Sequence, residues 1–351
     1  MKAEIRIGNH LLGDALNPYI IAEIGVNHEG SLELAKELIL QAKRAGAHAA
    51  KFQSYKADKI ASKNSPAYWD TKLEPTDSQH ALFKKFDSFD RDEYFELADF
   101  CKINGIDFMS TPFDLDAVDY LDELMPAYKV ASADITNIPL IRKCAEKGKP
   151  LILSTGASTF PEIENAISVA KAAGAKDVIL LHCVLNYPTP IDHAQLFMIE
   201  RLIKVFPDHL IGYSDHVVPD GTISALEVAV LKGACVLEKH FTHDKNLPGN
   251  DHYHAMDMHD LMAFKNKLEV YKGLLTGKGK DLSKESLARK HARRSIVTAK
   301  PLAAGTVLSE SDLIAKRPAH GISPIHWDEI VGRKLMVDLG DDELITWEVL
   351  K

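Results

Sequence analysis

Cysteine is scarce: there are four in 351 residues, Cys101, Cys144, Cys183 and Cys235, scattered and set among apolar neighbours. A cysteine metal cage needs close pairs, so it is excluded, and buried reduced thiols are expected. Long apolar runs are absent too; none reaches the roughly 18 residues of a membrane-spanning helix. Met1 to Gly13 holds no basic segment leading into an apolar core. No secretory signal is therefore expected, and a cytoplasmic protein is. Basic charge is in deficit, with 42 Lys and Arg against 50 Asp and Glu and a formal net charge of −8. Without a basic excess there are few counterions to release, which argues against nucleic acid as a general partner. Any anion site must be local. The glycine-rich phosphate turn of a dinucleotide-binding sheet is missing as well. After the first strand comes Gly25-Val26-Asn27-His28-Glu29-Gly30, which has the wrong spacing.

What is present is ordinary globular composition, 46% hydrophobic and 26% charged, enough for one large domain and a small one. Short apolar runs alternate with amphipathic helical ones, which favours a parallel sheet covered by helices. The pattern predicts strands at Tyr19–Ile24, His48–Gln53, Ile106–Ser110, Ala127–Ala131, Pro150–Ser154, Val178–Cys183, Leu210–Ser214 and Ala234–Lys239. Helices are expected at Ser31–Ala45, capped by Ser31, and at Arg91–Asn104, Pro161–Ala173 and His259–Leu275. Glycine recurs between helix ends and the next strand, as at Ala45-Gly46-Ala47 and Ala173-Gly174-Ala175, where a left-handed helix terminus needs it. Eight such units match a (β/α)8 TIM barrel, with an open doubly wound sheet as the alternative. The long polar excursion Ser54 to Ser88 reads as a lid or binding loop. Residues 1–280 are expected to form the barrel, 281–290 a linker within the polar stretch Thr276–Lys290, and 291–351 a small β-rich domain. There, Val297, Leu302, Val307, Leu313, Val331, Leu335 and Leu344 are spaced by turns rather than by helical period. Some 60 residues is marginal alone, so docking on another surface is expected.

Nearly every strand ends in a polar cluster. A closed parallel barrel gathers those ends at one mouth. Gly212-Tyr213-Ser214-Asp215-His216 and Leu237-Glu238-Lys239-His240-Phe241 follow neighbouring strands. A lone histidine is more often a hydrogen-bonded core residue. Two at matching strand ends, His216 and His240, suit one divalent cation. Most lysines here are surface charges, but Lys51 and Lys129 sit inside apolar runs. With Ser132, Ser154 and Ser214 they could surround a phosphate or carboxylate, although each serine singly could cap a helix or close a turn. Glu23 ends a buried strand, where an acid is costly unless paired or functional, and it is the candidate for proton transfer. A structural ion pair with a lysine is the alternative. Past strand eight, His252, His254 and His259 invite a metal too, but a flexible polar loop touching substrate hydroxyls needs no second ion. Asp251 is expected there as an acceptor for sugar hydroxyls.

Those residues resemble the sialic acid synthase family. The likeness rests on Ile21-Ala22-Glu23-Ile24-Gly25-Val26-Asn27-His28, Lys51-Phe52-Gln53, Lys59-Ile60, Lys129 to Ser132, Gly212 to His216 and Glu238 to His240. It continues through Arg293-Arg294-Ser295-Ile296 and Lys316-Arg317-Pro318 to Gly321-Ile322, almost the whole chain. Ala319-His320 departs from the Gly-Thr common in relatives. The resemblance implies a TIM barrel followed by a small antifreeze-like (SAF) domain. It implies a transferase that condenses phosphoenolpyruvate with N-acetylmannosamine, giving N-acetylneuraminate. Legionaminic or pseudaminic acid synthesis from a 2,4-diacetamido-2,4,6-trideoxyhexose is the alternative. It further implies that Lys51, Lys129, Ser132, Ser154, Asn186 and Ser214 cradle phosphoenolpyruvate, with Glu23, Lys51 and Lys129 catalytic. Gln53, Tyr187, Glu238, Asp251 and Arg317 would contact the sugar, and His216 and His240 would hold manganese or magnesium. A homodimer is implied, each small domain reaching over the partner's barrel. An aldolase with a lysine Schiff base and a non-catalytic carbohydrate-binding protein are the more distant rivals.

Overall fold

The computed structural model describes residues 5–351 except 70, 73, 222, 223, 250, 276 and 278, so two residues of the polar stretch 276–290 lie outside the described residues, while the expected linker 281–290 lies within them. The first of two compact units runs from Met1 to Leu274. Its eight parallel strands are β1 (Tyr19–Gly25), β2 (Ala49–Ser54), β3 (Asp107–Pro112), β4 (Tyr128–Val130), β5 (Leu151–Ser154), β6 (Val178–Cys183), β7 (Leu210–Asp215) and β8 (Val236–His240). The hydrogen-bonded order is β3-β2-β1-β8-β7-β6-β5-β4, and β3 packs against β4. That order is a TIM barrel. Helices follow the strands, among them Leu32–Arg44, where the Ser31 hydroxyl accepts from the Leu34 amide. Gly46 (φ 91°) and Gly174 (φ 102°) turn the chain from helix to strand in the left-handed conformation, as expected.

The pleat sorts the strand residues into two sets. Ile20, Ala22 and Ile24 face outward onto Leu38 and Ile39 of the first helix. Tyr19, Ile21, Ala49, Met109, Ala127, Ile152, Ile179, Leu181, Leu210 and Val236 face inward and fill the lower barrel. An N-terminal hairpin, Arg6–Ile7 against His10–Leu11, adds Ile5, Ile7 and Leu12 to that inner cluster and closes the end where the strands begin. The excursion after β2 is not structureless; it carries helices Ala57–Ile60 and Gln79–Phe86.

The second unit, Leu275–Lys351, opens with helical turns at Leu282–Glu285 and Ser286–His291, so the expected linker is partly helical. Antiparallel β9 (Ser295–Thr298) and β10 (Leu313–Lys316) and four isolated bridges follow. Its core includes Ile296, Leu302, Leu313, Ile330, Leu335 and Ile345, whereas Val307 is exposed. Arg317 is exposed on this unit.

Candidate functional site

Above the inner apolar layers the inward positions turn polar. β1 offers Glu23, β2 Lys51 and Gln53, β4 Lys129, β5 Ser154, β6 Cys183, β7 Ser214, and β8 Glu238 and His240. Register aligns them: Glu23 lies between His240 and Lys51, and Glu238 lies opposite Ser214. All of these residues line a cavity of about 490 Å³ at the C-terminal mouth. Ser132, Tyr187, His216 and Asp251 line it too. That volume suits a small-molecule site. Asn186 does not line it: the turn after β6 leaves its side chain exposed, while its carbonyl accepts from Thr189.

Two carboxylates balance two ammonium groups. Lys51 Nζ lies 2.5 Å from Glu23 Oε2 and 3.7 Å from Glu238 Oε1, and it donates to Thr111 Oγ1 at 3.0 Å. Lys129 Nζ is 3.6 Å from Glu238 Oε1 and donates to the Val130 carbonyl at 3.3 Å, so it is the less firmly paired cation. Both lysines are 2% exposed. Burial pushes the Glu23 carboxyl above its usual range, against the pull of Lys51. Burial holds Lys129 below its usual range, opposed by Glu238. For Lys51 burial works downward, but Glu23 and Glu238 together hold it up. Gln53 Nε2 donates to Glu23 Oε1 at 2.9 Å, and the Ser214 hydroxyl donates to Glu238 Oε1 at 3.3 Å. The Ser132 hydroxyl accepts from the Gly156 amide, and Ser154 Oγ is buried without a hydrogen-bond partner.

Beside this group stand imidazoles. His216 Nδ1 bonds the Val184 carbonyl at 2.9 Å, which makes it the protonated nitrogen and leaves Nε2 with a lone pair. The His240 and His216 rings are 5.5 Å apart. Asp251 Oδ2 lies 3.3 Å from His240 Nδ1, and its Oδ1 lies 3.7 Å from His254 Nε2. One donor atom from each of His240, Asp251 and His254 falls within 4.8 Å of the others. His240 Nδ1 and both His254 nitrogens are buried without hydrogen-bond partners. Burial, reinforced by the neighbouring imidazoles, holds His240 and His254 well below the usual histidine range, and burial holds His216 near about 4. Neutral rings with unused lone pairs beside a carboxylate fit a divalent cation. His254, expected to stay out of a metal group, lies within reach of one such candidate group. Its loop is no loose contact: the Met256 amide donates to the His240 carbonyl at 2.8 Å and folds His254 back beside strand β8. His252 is engaged elsewhere, with Thr242 Oγ1 at 2.7 Å, and His259 is exposed.

Several lining residues carried no sequence signal. Tyr55, Tyr68, Trp69, Phe83 and Phe86 of the excursion form an apolar wall. Buried Asn27 ties three segments together. Its amide donates to the Phe241 carbonyl at 3.1 Å, and its oxygen accepts from the Asp251 amide at 3.3 Å. Behind the site, facing away from the cavity, Lys239 Nζ and Asp215 Oδ2 pair at 2.6 Å. Among the described residues, no helix is long and apolar enough to cross a membrane.

Residues 38–280 match the NeuB family and residues 293–351 match the SAF domain. An uncharacterized protein of Methanocaldococcus jannaschii is 39% identical over 349 residues, 99% of this chain and 98% of its own. The N,N'-diacetyllegionaminic acid synthase of Legionella pneumophila is 37% identical over 344 residues, 96% and 95% of the two chains. A solved structure, the N-acetylneuraminic acid synthetase of Leptospira borgpetersenii with citrate, is 34% identical at a TM-score of 0.72 and covers 82% and 97%. With a charged mouth on a TIM barrel and likeness along its full length, the chain belongs to the NeuB family of nonulosonic acid synthases, is an enzyme of the transferase kind, and ends in a SAF domain.

Proposed function

We propose that the chain condenses phosphoenolpyruvate with N-acetylmannosamine and releases phosphate and N-acetylneuraminate. The observation that carries this is the meeting of Lys51 and Lys129 with His216, His240 and Asp251 in one cavity. C3 of phosphoenolpyruvate bonds to the aldehyde carbon of the sugar. Positive charge builds at C2, water adds there, and C–O cleavage expels phosphate, leaving a nine-carbon 2-keto acid. Lys129 and Lys51 take the anionic oxygens through charge-assisted hydrogen bonds, and Ser132, Ser154 and Ser214 add neutral donors. Asn186 remains a candidate only if its loop turns inward on binding. Glu23, its carboxyl pushed up by burial, is placed to take and return protons during water attack and phosphate loss. Gln53, Tyr187, Glu238 and Asp251 are proposed as sugar contacts. His216 and His240 would hold manganese or magnesium, which supplies a Lewis acid for the aldehyde oxygen.

A second reading, a 2,4-diacetamido-2,4,6-trideoxyhexose as acceptor, is favoured by the apolar wall. Tyr68, Phe83 and Phe86 suit a 6-methyl group better than a 6-hydroxyl. The likeness to a legionaminic acid synthase supports it. We extend the proposal to a cytoplasmic homodimer, each SAF domain reaching over the partner's barrel and bringing Arg317 to the N-acyl group. The barrel would span 1–280, the linker 281–290 and the SAF domain 291–351. Purified protein with phosphoenolpyruvate, manganese and each sugar in turn is the test. Phosphate release coupled to ketoacid formation is expected, and its absence with both sugars overturns the proposal.

A further inference from the structure

We infer that His254 joins His240 and Asp251 in one cation group, a third imidazole ligand beside the proposed His216; this takes Asp251 from the sugar-contact role given above. The chain then holds a nitrogen-preferring first-row transition-metal cation and discriminates against magnesium. This deepens the function proposed above, whose cation it specifies.

The inference starts from a contrast inside one turn. His252 and His254 share the 3-10 turn after Asp251, and both are 0% exposed. His252 has the Thr242 hydroxyl on Nδ1 and Glu29 3.4 Å from Nε2. His254 has no hydrogen-bond partner on either nitrogen. A buried polar atom left unpaired costs about 1–3 kcal/mol, so two on one ring call for an explanation. Among the described residues none bonds either nitrogen. The nearest groups are rings, with His240 at 4.9 Å, Tyr253 at 5.0 Å, Tyr187 at 5.6 Å and His216 at 5.9 Å. Asp251 Oδ1, at 3.7 Å, is too far for a hydrogen bond but well placed to share a cation. A sugar cannot reach nitrogens this deeply covered; a bare cation between the side chains can.

The backbone holds the ring there. Phe241 bridges Met256, the Met256 amide bonds the His240 carbonyl, and the Thr242 amide bonds the Met256 carbonyl. His254 is thus locked to the strand that supplies His240. Such a donor set, rich in imidazole with one carboxylate, suits manganese, iron, cobalt or zinc. Magnesium demands oxygen ligands and keeps its waters.

The test reads metal binding without turnover. Chelator-stripped full-length protein is titrated with Co2+ and followed by visible absorption. Hyperfine-shifted imidazole N–H proton resonances then count the ligating histidines. Three are expected in the wild type, and two overturn the inference without any variant. His254→Phe, which fills the same volume, should weaken Co2+ binding about tenfold or more and change the spectrum. His252→Gln should leave the spectrum unchanged. Wild-type affinity and spectrum in His254→Phe, or equal competition by Mg2+, also overturn it. Because no substrate is present, turnover with either sugar while His254→Phe binds metal normally would sink this inference alone. Three ligating imidazoles with no turnover would leave it standing and sink the proposed reaction.

Discussion

Neutralising Asp215 should destabilise the barrel sharply, and neutralising its partner as well should restore most of the loss. Asp215 and Lys239 have side chains 2% and 4% exposed, and their charged atoms are 2.6 Å apart. Asp215 Oδ1 also accepts from the Tyr213 hydroxyl and the Val217 amide, both at 2.9 Å. Asn at 215 keeps the volume and an acceptor for those two donors, so the change isolates the charge. Lys239 is then left buried with the Val217 carbonyl, at 2.7 Å, as its acceptor. Stranding one member of a buried pair costs about 3–5 kcal/mol. For a unit of this size each kcal/mol lowers Tm by about 2 °C, so a fall of roughly 6–10 °C is expected. Lys239→Met removes the stranded ammonium, and the double variant should recover more than half of the drop, since apolar replacement of a buried pair is often neutral. Thermal unfolding of wild type, Asp215→Asn, Lys239→Met and the double variant closes the cycle. A double variant as unstable as Asp215→Asn would refute the view that a stranded charge is the cause.

Lys129→Met should lower kcat/KM for phosphoenolpyruvate roughly 10- to 150-fold, the worth of a charged hydrogen bond, about 1.5–3 kcal/mol. Phosphate release at varied phosphoenolpyruvate measures it, and unchanged kinetics would remove Lys129 from anion binding. His28 should make the fold acid-sensitive. Its buried ring stacks on Phe89 at 4.2 Å, and burial lowers its pKa to about 4. The fold therefore accepts the neutral ring: its contribution is whole above the unfolded value of about 6.5 and drains as pH falls towards 4, by about 3 kcal/mol. Urea midpoints between pH 7 and 4.5 should fall less in His28→Phe than in wild type, and parallel losses would contradict this.

Much of the barrel was legible because lysine, glutamate and histidine interrupt apolar strands. Both faces of a buried parallel strand are apolar, so Ile20 and Ile21 look alike in sequence although one faces helices and the other the barrel interior. Only the polar intruders Glu23, Lys51 and Glu238 reveal the inward phase. His254 was visible in the sequence but discounted, for the opposite reason. Its loop is polar and glycine-bearing, and the bridge between Phe241 and Met256 that makes it rigid is a backbone contact without a sequence pattern. The aromatic wall was hidden by composition, since Tyr68, Trp69 and Phe83 are diluted among charged residues. Thr111 was visible only as one more polar strand end, and its contact with Lys51 arises from the neighbouring strand.

The N-terminal hairpin turns the barrel into a blind well. Ile7 and Leu12 cork its floor, and the cavity lies toward the opposite, C-terminal mouth. Should the lysines hold one reactant and the aromatic wall another, as proposed, depth decides the queue: the reactant on the lysines is seated first. Order of addition then becomes a matter of plumbing, written in part by apolar residues such as Ile5, Ile7 and Leu12 that lie outside the cavity.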